Sequence, residues 1–154
     1  MEAAFKDEVF YITGSSGGIG FATAKLCVEK GAAVIITGRD AKNLRKAETD
    51  LLKISSRVIA HNIDVSNELE IVDSLNQAYK ACGKIDGLVN NAPSIHTGKI
   101  TDLSLAAWKT NFKANLDAVF LATKTVLPWM IKAKQGSIVN ISSVVGLKGV
   151  AYMS

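Results

Sequence analysis

The chain has only two cysteines, Cys27 and Cys82. They match no metal-ligand spacing. Each falls on the apolar stripe expected of its helix, so both are read as buried thiols in a reducing compartment. Long hydrophobic runs are also missing. No window approaches the ~18 uninterrupted apolar residues that a membrane-spanning helix needs, and the nearest candidate, 118–131, is broken by Thr123, Lys124, Thr125 and Pro128. The segment from Met1 to Glu8 lacks the basic-then-apolar order of a secretory signal. These absences predict a soluble, cytoplasmic protein with no membrane partner. Concentrated charge is lacking as well. The net charge of +4, from 18 basic and 14 acidic residues, is spread over helical faces where lysines alternate with acids. With no basic stripe interleaved with aromatics, nucleic acid is not an expected partner, and an RNA-binding reading has no patch to stand on. Internal repeats, low-complexity tracts and linkers are likewise absent.

What remains is a globular composition. Apolar residues make up 48% of the 154 positions and mean hydropathy is +0.20, enough for one domain with a real core. Strand and helix patterns alternate throughout. Short β-branched runs at Val9–Thr13, Ala33–Thr37, Arg57–His61, Ile85–Val89 and Ser137–Ser142 are nearly all apolar, as strands buried on both faces of a parallel sheet are. Between them the spacing predicts helices over Ile19–Lys30, Ala41–Lys53, Asn67–Cys82 and Leu103–Ala133. The first is expected to bury Ile19, Thr23, Leu26 and Cys27 and to stop at Gly31. The third is expected to bury Ile71, Leu75, Ala78 and Cys82, ending at Gly83. This is a doubly wound α/β fold, helices on both faces of one parallel sheet in a Rossmann-like three-layer sandwich, with expected strand order 3-2-1-4-5. Ligands of such sheets bind at the carboxyl ends of the strands around the switch point.

The most informative stretch is Thr13-Gly14-Ser15-Ser16-Gly17-Gly18-Ile19-Gly20, directly after the apolar Val9–Ile12 run. A strand that ends in a glycine-rich turn and restarts as a helix aims backbone N–H groups and a helix N-terminus at one point, a site for a phosphate. Gly14 permits the sharp turn, and Gly18 and Gly20 permit close approach of the backbone. The spacing is neither G-x-G-x-x-G nor a P-loop, because Ile19 stands where the P-loop lysine belongs. After the second strand comes Gly38-Arg39-Asp40. An acid near this point in NAD-binding units bonds the ribose 2′-hydroxyl, and an arginine accommodates a 2′-phosphate. Arg39 therefore favours NADP, and Asp40 keeps NAD possible. Asp64-Val65 ends the third strand, where the carboxylate is placed either to bond an adenine amino group or to cap the next helix. Ser66 and Asn67 are better placed for capping. Asn90-Asn91-Ala92-Pro93 leaves the fourth strand with amide groups that can bridge strands and line a nucleotide crevice, or close a polar turn. Asn115 shares a helical stripe with Trp108, Phe112, Val119 and Val126. A buried amide there needs partners, from backbone, water or substrate. The fifth strand delivers Ser142 and Ser143.

Taken together, these residues resemble the short-chain dehydrogenase/reductase family: Thr13-Gly14-x-x-x-Gly18-x-Gly20, Asp64-Val65, Asn90-Asn91-Ala92, Asn115 seven after Trp108, and Ile138-Val139-Asn140-Ile141-Ser142-Ser143, in the family's order over nearly the whole chain. The resemblance implies NAD(P)(H)-dependent hydride transfer between a nicotinamide and a small carbonyl or alcohol, and a homo-oligomer. It places the coenzyme on Gly14, Ser15, Ser16, Gly18, Ile19, Gly20, Arg39, Asp64, Val65, Asn91 and Ala92. It makes Ser143 the serine that holds the substrate oxygen and Asn115 the support of a water in the proton relay. Two departures stand out. Pro93 replaces the family's glycine, removing an N–H and fixing φ beside the nicotinamide. The family's proton donor is the tyrosine of Tyr-x-x-x-Lys, whose lysine lowers the tyrosine pKa. The downstream tyrosine here, Tyr152, is nine after Ser143, and its lysine would fall past Ser154, so Tyr152 is at once the candidate donor and a candidate loop residue. The expectation is one NAD(P)-binding Rossmann domain over 1–154, shorter at its C-terminal side than family members, with little turnover by itself and an uncovered apolar edge at the fifth strand. The alternative is a catalytically silent dinucleotide-binding or interaction module.

Overall fold

A computed structural model describes residues 4–152 of the chain. Strands β1 (Val9–Ile12), β2 (Ala33–Gly38), β3 (Val58–Asn62), β4 (Gly87–Asn90) and β5 (Ser137–Asn140) form one sheet in the order β3-β2-β1-β4-β5. All four pairings are parallel, as in Phe10 with Val34 and with Gly87. The expected architecture is therefore the observed one. Tyr11, Ile12, Val34, Ile35, Ile36 and Leu88 are completely shielded from solvent, and each large aliphatic chain so buried contributes about 1.5–3 kcal/mol. Gly87 is a glycine of necessity: a Cβ there would run into the Phe10 ring.

Helices α1 (Gly18–Glu29) and α2 (Ala41–Leu52) bury Ala24, Cys27, Val28, Leu44, Ala47 and Leu51 in one cluster. On the other face α3 (Glu68–Cys82) and α5 (Ala118–Ala133) bury Ile71, Leu75, Ala122, Val126 and Met130. The Asn67 side chain caps α3 by accepting from the N–H groups of Leu69 and Glu70, and Gly83 ends it in the left-handed region at φ 76°.

Several expectations about helix faces need correction. In α1 the buried set is Gly20, Ala24, Cys27 and Val28, whereas Ile19 and Leu26 are 64% and 53% exposed. Close approach of this helix to the glycine turn admits only small residues, which rotates the large ones outward. Cys27 is buried, but Cys82 is only half-buried. The predicted Leu103–Ala133 helix is three consecutive segments: α4 (Leu105–Phe112), a π turn over Lys113–Asp117, and α5. Its inward stripe is Ala114, Ala118, Ala122, Val126 and Met130. Trp108 and Phe112 pack with tilted rings, centroids 4.7 Å apart, on the exposed face, and Asn115 is exposed rather than buried. The extra residue of the π turn shifts the helical phase, so of the stripe extrapolated at constant period from Trp108 only Val126 reaches the core. Strand β5 ends at Asn140, two residues earlier than predicted, and Val139 and Ile141 stand largely exposed.

Candidate functional site

At the switch point between β1 and β4, the chain leaves β1 and turns at Gly14, whose φ is 62°. Ala92 packs so tightly over this turn that a Cβ on Gly14 would sit 2.6 Å from its Cα. The turn is fastened from three sides. Ser15 is wholly buried: its N–H donates to the Thr37 carbonyl at 2.8 Å, its Oγ donates to the Ile12 carbonyl at 2.7 Å, and the same Oγ accepts from the Thr37 N–H at 2.9 Å. Asn91 Nδ2 donates to the carbonyls of Thr13 and Gly14, at 2.9 and 3.0 Å. Thr13 Oγ1 accepts from the N–H groups of Asn91 and Ala92, at 2.9 and 3.0 Å. Asn90 bridges in the other direction, its Nδ2 donating to Asn140 Oδ1 at 2.8 Å. The paired asparagines thus bridge strands, one of the two roles their amide chemistry allowed.

Helix α1 begins differently from its neighbours. Its N-cap is Gly17, no side chain caps it, and its first turn holds no acid. Its leading N–H groups therefore point outward without a side-chain acceptor, at the positive end of the helix dipole. A Cβ on Gly17 or Gly18 would meet nothing within 4 Å, so the space over the turn is open. These features fit a pyrophosphate, which needs donors, a positive field and room for close approach.

Two connected hollows flank the turn. The larger, about 610 Å³, is lined by Gly17, Gly18, Ile19, Asn115 and Ser143, among others. The smaller, about 210 Å³, is lined by Ser16, Gly38, Arg39, Asp64 and Val65. They share Gly14, Ala92, Pro93 and Ser94, so they form one elongated cleft. Two predicted residues are structural beneath it: the Ser15 side chain supports the turn from below, and Gly20 lies where a Cβ would strike the Gly14 carbonyl at 2.6 Å and Asn91 Nδ2 at 2.5 Å.

At the small end, Arg39 is exposed and has no ion pair among the described residues. Asp40 is committed elsewhere, accepting from the Asn43 N–H at 2.8 Å to cap α2. Burial pulls the Asp64 carboxyl upward, but donation from the Ser66 N–H and Oγ and the charge of Arg39 outweigh it, holding Asp64 below the ordinary carboxylate value. It stays an anion and closes a tight turn; capping belongs to Asn67.

At the large end, Ser143 Oγ accepts only a long 3.4 Å bond from the Val145 N–H, so its hydroxyl remains free to donate. Asn115 spends its amide on the loop after β4: Oδ1 accepts from the Ser94 N–H at 2.9 Å and Nδ2 donates to the Ser94 carbonyl at 2.6 Å. Tyr152 is not brought to this cavity. It lies in the left-handed region at φ 66°, 60% exposed, its carbonyl accepting from the Gly98 N–H. Sequence reasoning missed Asn111, which grips His96 one turn before Asn115 grips Ser94. The four-residue spacing of the two asparagines was the available signal.

The 3-2-1-4-5 parallel sheet and the open glycine turn at its switch point define a Rossmann-type α/β protein. The short chain dehydrogenase family matches residues 8–154. The (2S)-[(R)-hydroxy(phenyl)methyl]succinyl-CoA dehydrogenase subunit BbsD of Thauera aromatica is 37% identical over 144 residues, 94% of this chain and 58% of that protein. A crystal structure of NAD+-bound xylitol dehydrogenase superposes with a TM-score of 0.91 at 29% identity, over 97% of this chain and 58% of the other. A metagenomic short-chain oxidoreductase in complex with NADP gives 0.92 at 34% identity, over 97% and 68%. The chain belongs to the short-chain dehydrogenase family, and it spans about three-fifths of the length of the curated relatives it matches.

Proposed function

We propose that this chain supplies the coenzyme site of an NAD(P)(H)-dependent oxidoreductase that interconverts a small carbonyl and an alcohol. One observation carries the proposal: the uncapped, side-chain-free start of α1 opens into the same cavity that Ser143 and Asn115 line. The N–H groups of the 14–20 turn hold the pyrophosphate, with Gly14, Ser16, Gly18 and Ile19 bordering it. Asn91 and Ala92 hold the turn in place, and Asp64 and Val65 border the adenine end. Bound there, the coenzyme supplies or accepts the hydride. Ser143 Oγ donates to the substrate oxygen and orients the reacting carbon. Asn115 acts by position, fixing the Ser94 segment as one wall of the cleft.

NADP(H) is favoured over NAD(H), because Arg39 lies beside the small hollow without an ion pair among the described residues, while the competing carboxylate of Asp40 is occupied in capping. Coenzyme titration by fluorescence tests this. Arg39→Ala should weaken NADPH binding about 10- to 100-fold, the range for loss of a charge-assisted bond, and leave NADH binding unchanged. Failure of the protein to bind either coenzyme would refute the proposal.

A second reading is favoured by the position of Tyr152: residues 1–154 alone bind coenzyme without turnover, because the candidate donor stands outside the cavity. Ready reduction of a ketone panel by this chain with NADPH would refute it. Self-association is also proposed, since Leu105, Trp108, Phe112, Leu116 and Phe120 are all exposed on the α4–α5 side; sedimentation velocity showing only monomer would count against it.

A further inference from the structure

Asn111 and Asn115, one turn apart on the α4–π–α5 segment, hold the loop after β4 in the same manner. Asn115 makes the reciprocal pair with the Ser94 backbone described above. Asn111 makes the second: its Oδ1 accepts from the His96 N–H at 3.0 Å, and its Nδ2 donates to the His96 carbonyl at 3.4 Å. Two side-chain amides thus imitate two rungs of a β-ladder and clamp 94–96 against the helix. The second rung does something the first does not. The same Asn111 Oδ1 lies 3.1 Å from His96 Nδ1. The two backbone bonds fix which end of the Asn111 amide is oxygen. An amide oxygen only accepts, so Nδ1 must carry the proton. The neutral ring then has its lone pair on Nε2, which has no hydrogen-bond partner among the described residues.

His96 lines the larger hollow, together with Asn111, Ile95, Val119, Val145 and Ser143. None of the residues that line this hollow carries a carboxylate, an ammonium or a guanidinium group, and His96 is the one titratable side chain among them. A charged substituent would find no counter-ion here, whereas an uncharged donor would find the free lone pair of the His96 ring beside the serine hydroxyls, on a wall that is mainly apolar by area.

We propose that His96, held in its Nδ1–H form by Asn111, is the specificity-determining residue of the cleft, its Nε2 accepting a hydrogen bond from a hydroxyl on an uncharged, mainly apolar ketone or alcohol. Asn111 is the positioning residue that sets the tautomer. This rests on the oxidoreductase reading above, and the experiment separates the two.

The tautomer is read first, by long-range proton–nitrogen correlation on the imidazole rings of the whole chain. With only two histidines in the sequence, His61→Gln leaves His96 alone in the spectrum. The expected result is the Nδ1–H pattern, reverting in Asn111→Leu to the mixture typical of a free imidazole. An Nε2–H pattern in the otherwise unaltered chain overturns the proposal. Selectivity is read next. The chain is titrated with NADPH, then with cyclohexanone, 4-hydroxycyclohexanone and 4-oxocyclohexanecarboxylate. The hydroxyketone should bind about 5-fold tighter than cyclohexanone, as one neutral hydrogen bond allows. That ratio should fall to about one in His96→Leu and be partly kept in His96→Gln, whose amide oxygen reaches the Nε2 position. Melting temperatures establish that each variant is folded. An unchanged ratio in His96→Leu, or tightest binding of the carboxylate, overturns the proposal while coenzyme binding leaves the oxidoreductase reading standing. Absence of coenzyme binding overturns that reading, and with it the role given to His96.

Discussion

Gly20→Ala tests how the glycine turn is built. Gly20 has an ordinary helical backbone, so the issue is space and not φ. An added methyl would stand 2.5 Å from Asn91 Nδ2, 2.6 Å from the Gly14 carbonyl oxygen and 2.9 Å from Ser15 Cα. Two of the three neighbours are backbone and cannot swing aside. The third, Asn91 Nδ2, holds the carbonyls of Thr13 and Gly14. Overpacking of this kind costs about 1–3 kcal/mol, and displacing the Asn91 amide adds about 1 kcal/mol for a lost hydrogen bond. The sum is about 2–4 kcal/mol, which for a chain of this size lowers Tm by about 4–16 °C. Gly17→Ala is the matched control. Its φ is −176° and a Cβ there meets nothing within 4 Å, so the fold should tolerate it to within about 1 kcal/mol. The methyl would instead occupy the open space over the turn, and NADPH binding should weaken about tenfold, equivalent to about 1.4 kcal/mol. Differential scanning fluorimetry and coenzyme titration separate the two effects. If Gly20→Ala melts with the unaltered protein, the tight contact of α1 with the turn does not exist as described. If Gly17→Ala binds coenzyme at full strength, the open space is not where the phosphates sit.

Two further predictions concern the hydrogen-bonded chain Tyr11–Ser74–His61, buried at Tyr11 and Ser74 and half-buried at His61, in which the Tyr11 hydroxyl and Ser74 Oγ are 2.5 Å apart and His61 Nδ1 lies 2.7 Å from the same oxygen. Burial drives the Tyr11 hydroxyl well above the ordinary phenol range, against a small opposing pull from Ser74, so it stays protonated and needs a partner; Ser74→Ala should cost about 1–3 kcal/mol, or about 2–12 °C in Tm, and an unchanged melt would refute the chain. Burial also lowers the His61 pKa, more than its bond with Ser74 raises it. The unfolded chain then binds the extra proton more readily, so this contribution to stability is complete above the ordinary histidine value of about 6.5 and is lost as pH falls below it. Melting at pH 7.5 and 5.5 should show a larger acid loss in the unaltered protein than in His61→Gln, and equal losses would refute the assignment.

The sheet was legible because its central strands β1, β2 and β4 are largely buried on both faces. Runs such as Val34-Ile35-Ile36 carry no polar alternation to misread, and five β-branched runs between helical patterns leave few topologies. The glycine turn was legible because backbone geometry dictated its residues. The helix faces were harder. A hydrophobic stripe is found by counting large side chains, yet the contact faces of α1 and the α4–α5 segment begin with Gly20, Ala24, Ala114, Ala118 and Ala122 and reach larger residues only further along, at Val28, Val126 and Met130, while Ile19, Leu26, Leu116 and Phe120 face out. Asn115 was singled out for a burial it lacks, since a one-residue π insertion is invisible to a fixed period. Its partners, the backbone atoms of Ser94, are twenty-one positions away and leave no mark on local sequence. The same is true of His61, whose contact with Ser74 arises only when β3 and α3 pack.

The cleft is electrically lopsided. Arg39 and Asp64 sit at the narrow end, and the wide end has no ionised wall at all. A long molecule with one ionic tip and one neutral tip can therefore lie in it in a single sense, and the polarity of the hollow, rather than any individual bond, decides which tip arrives beside Ser143.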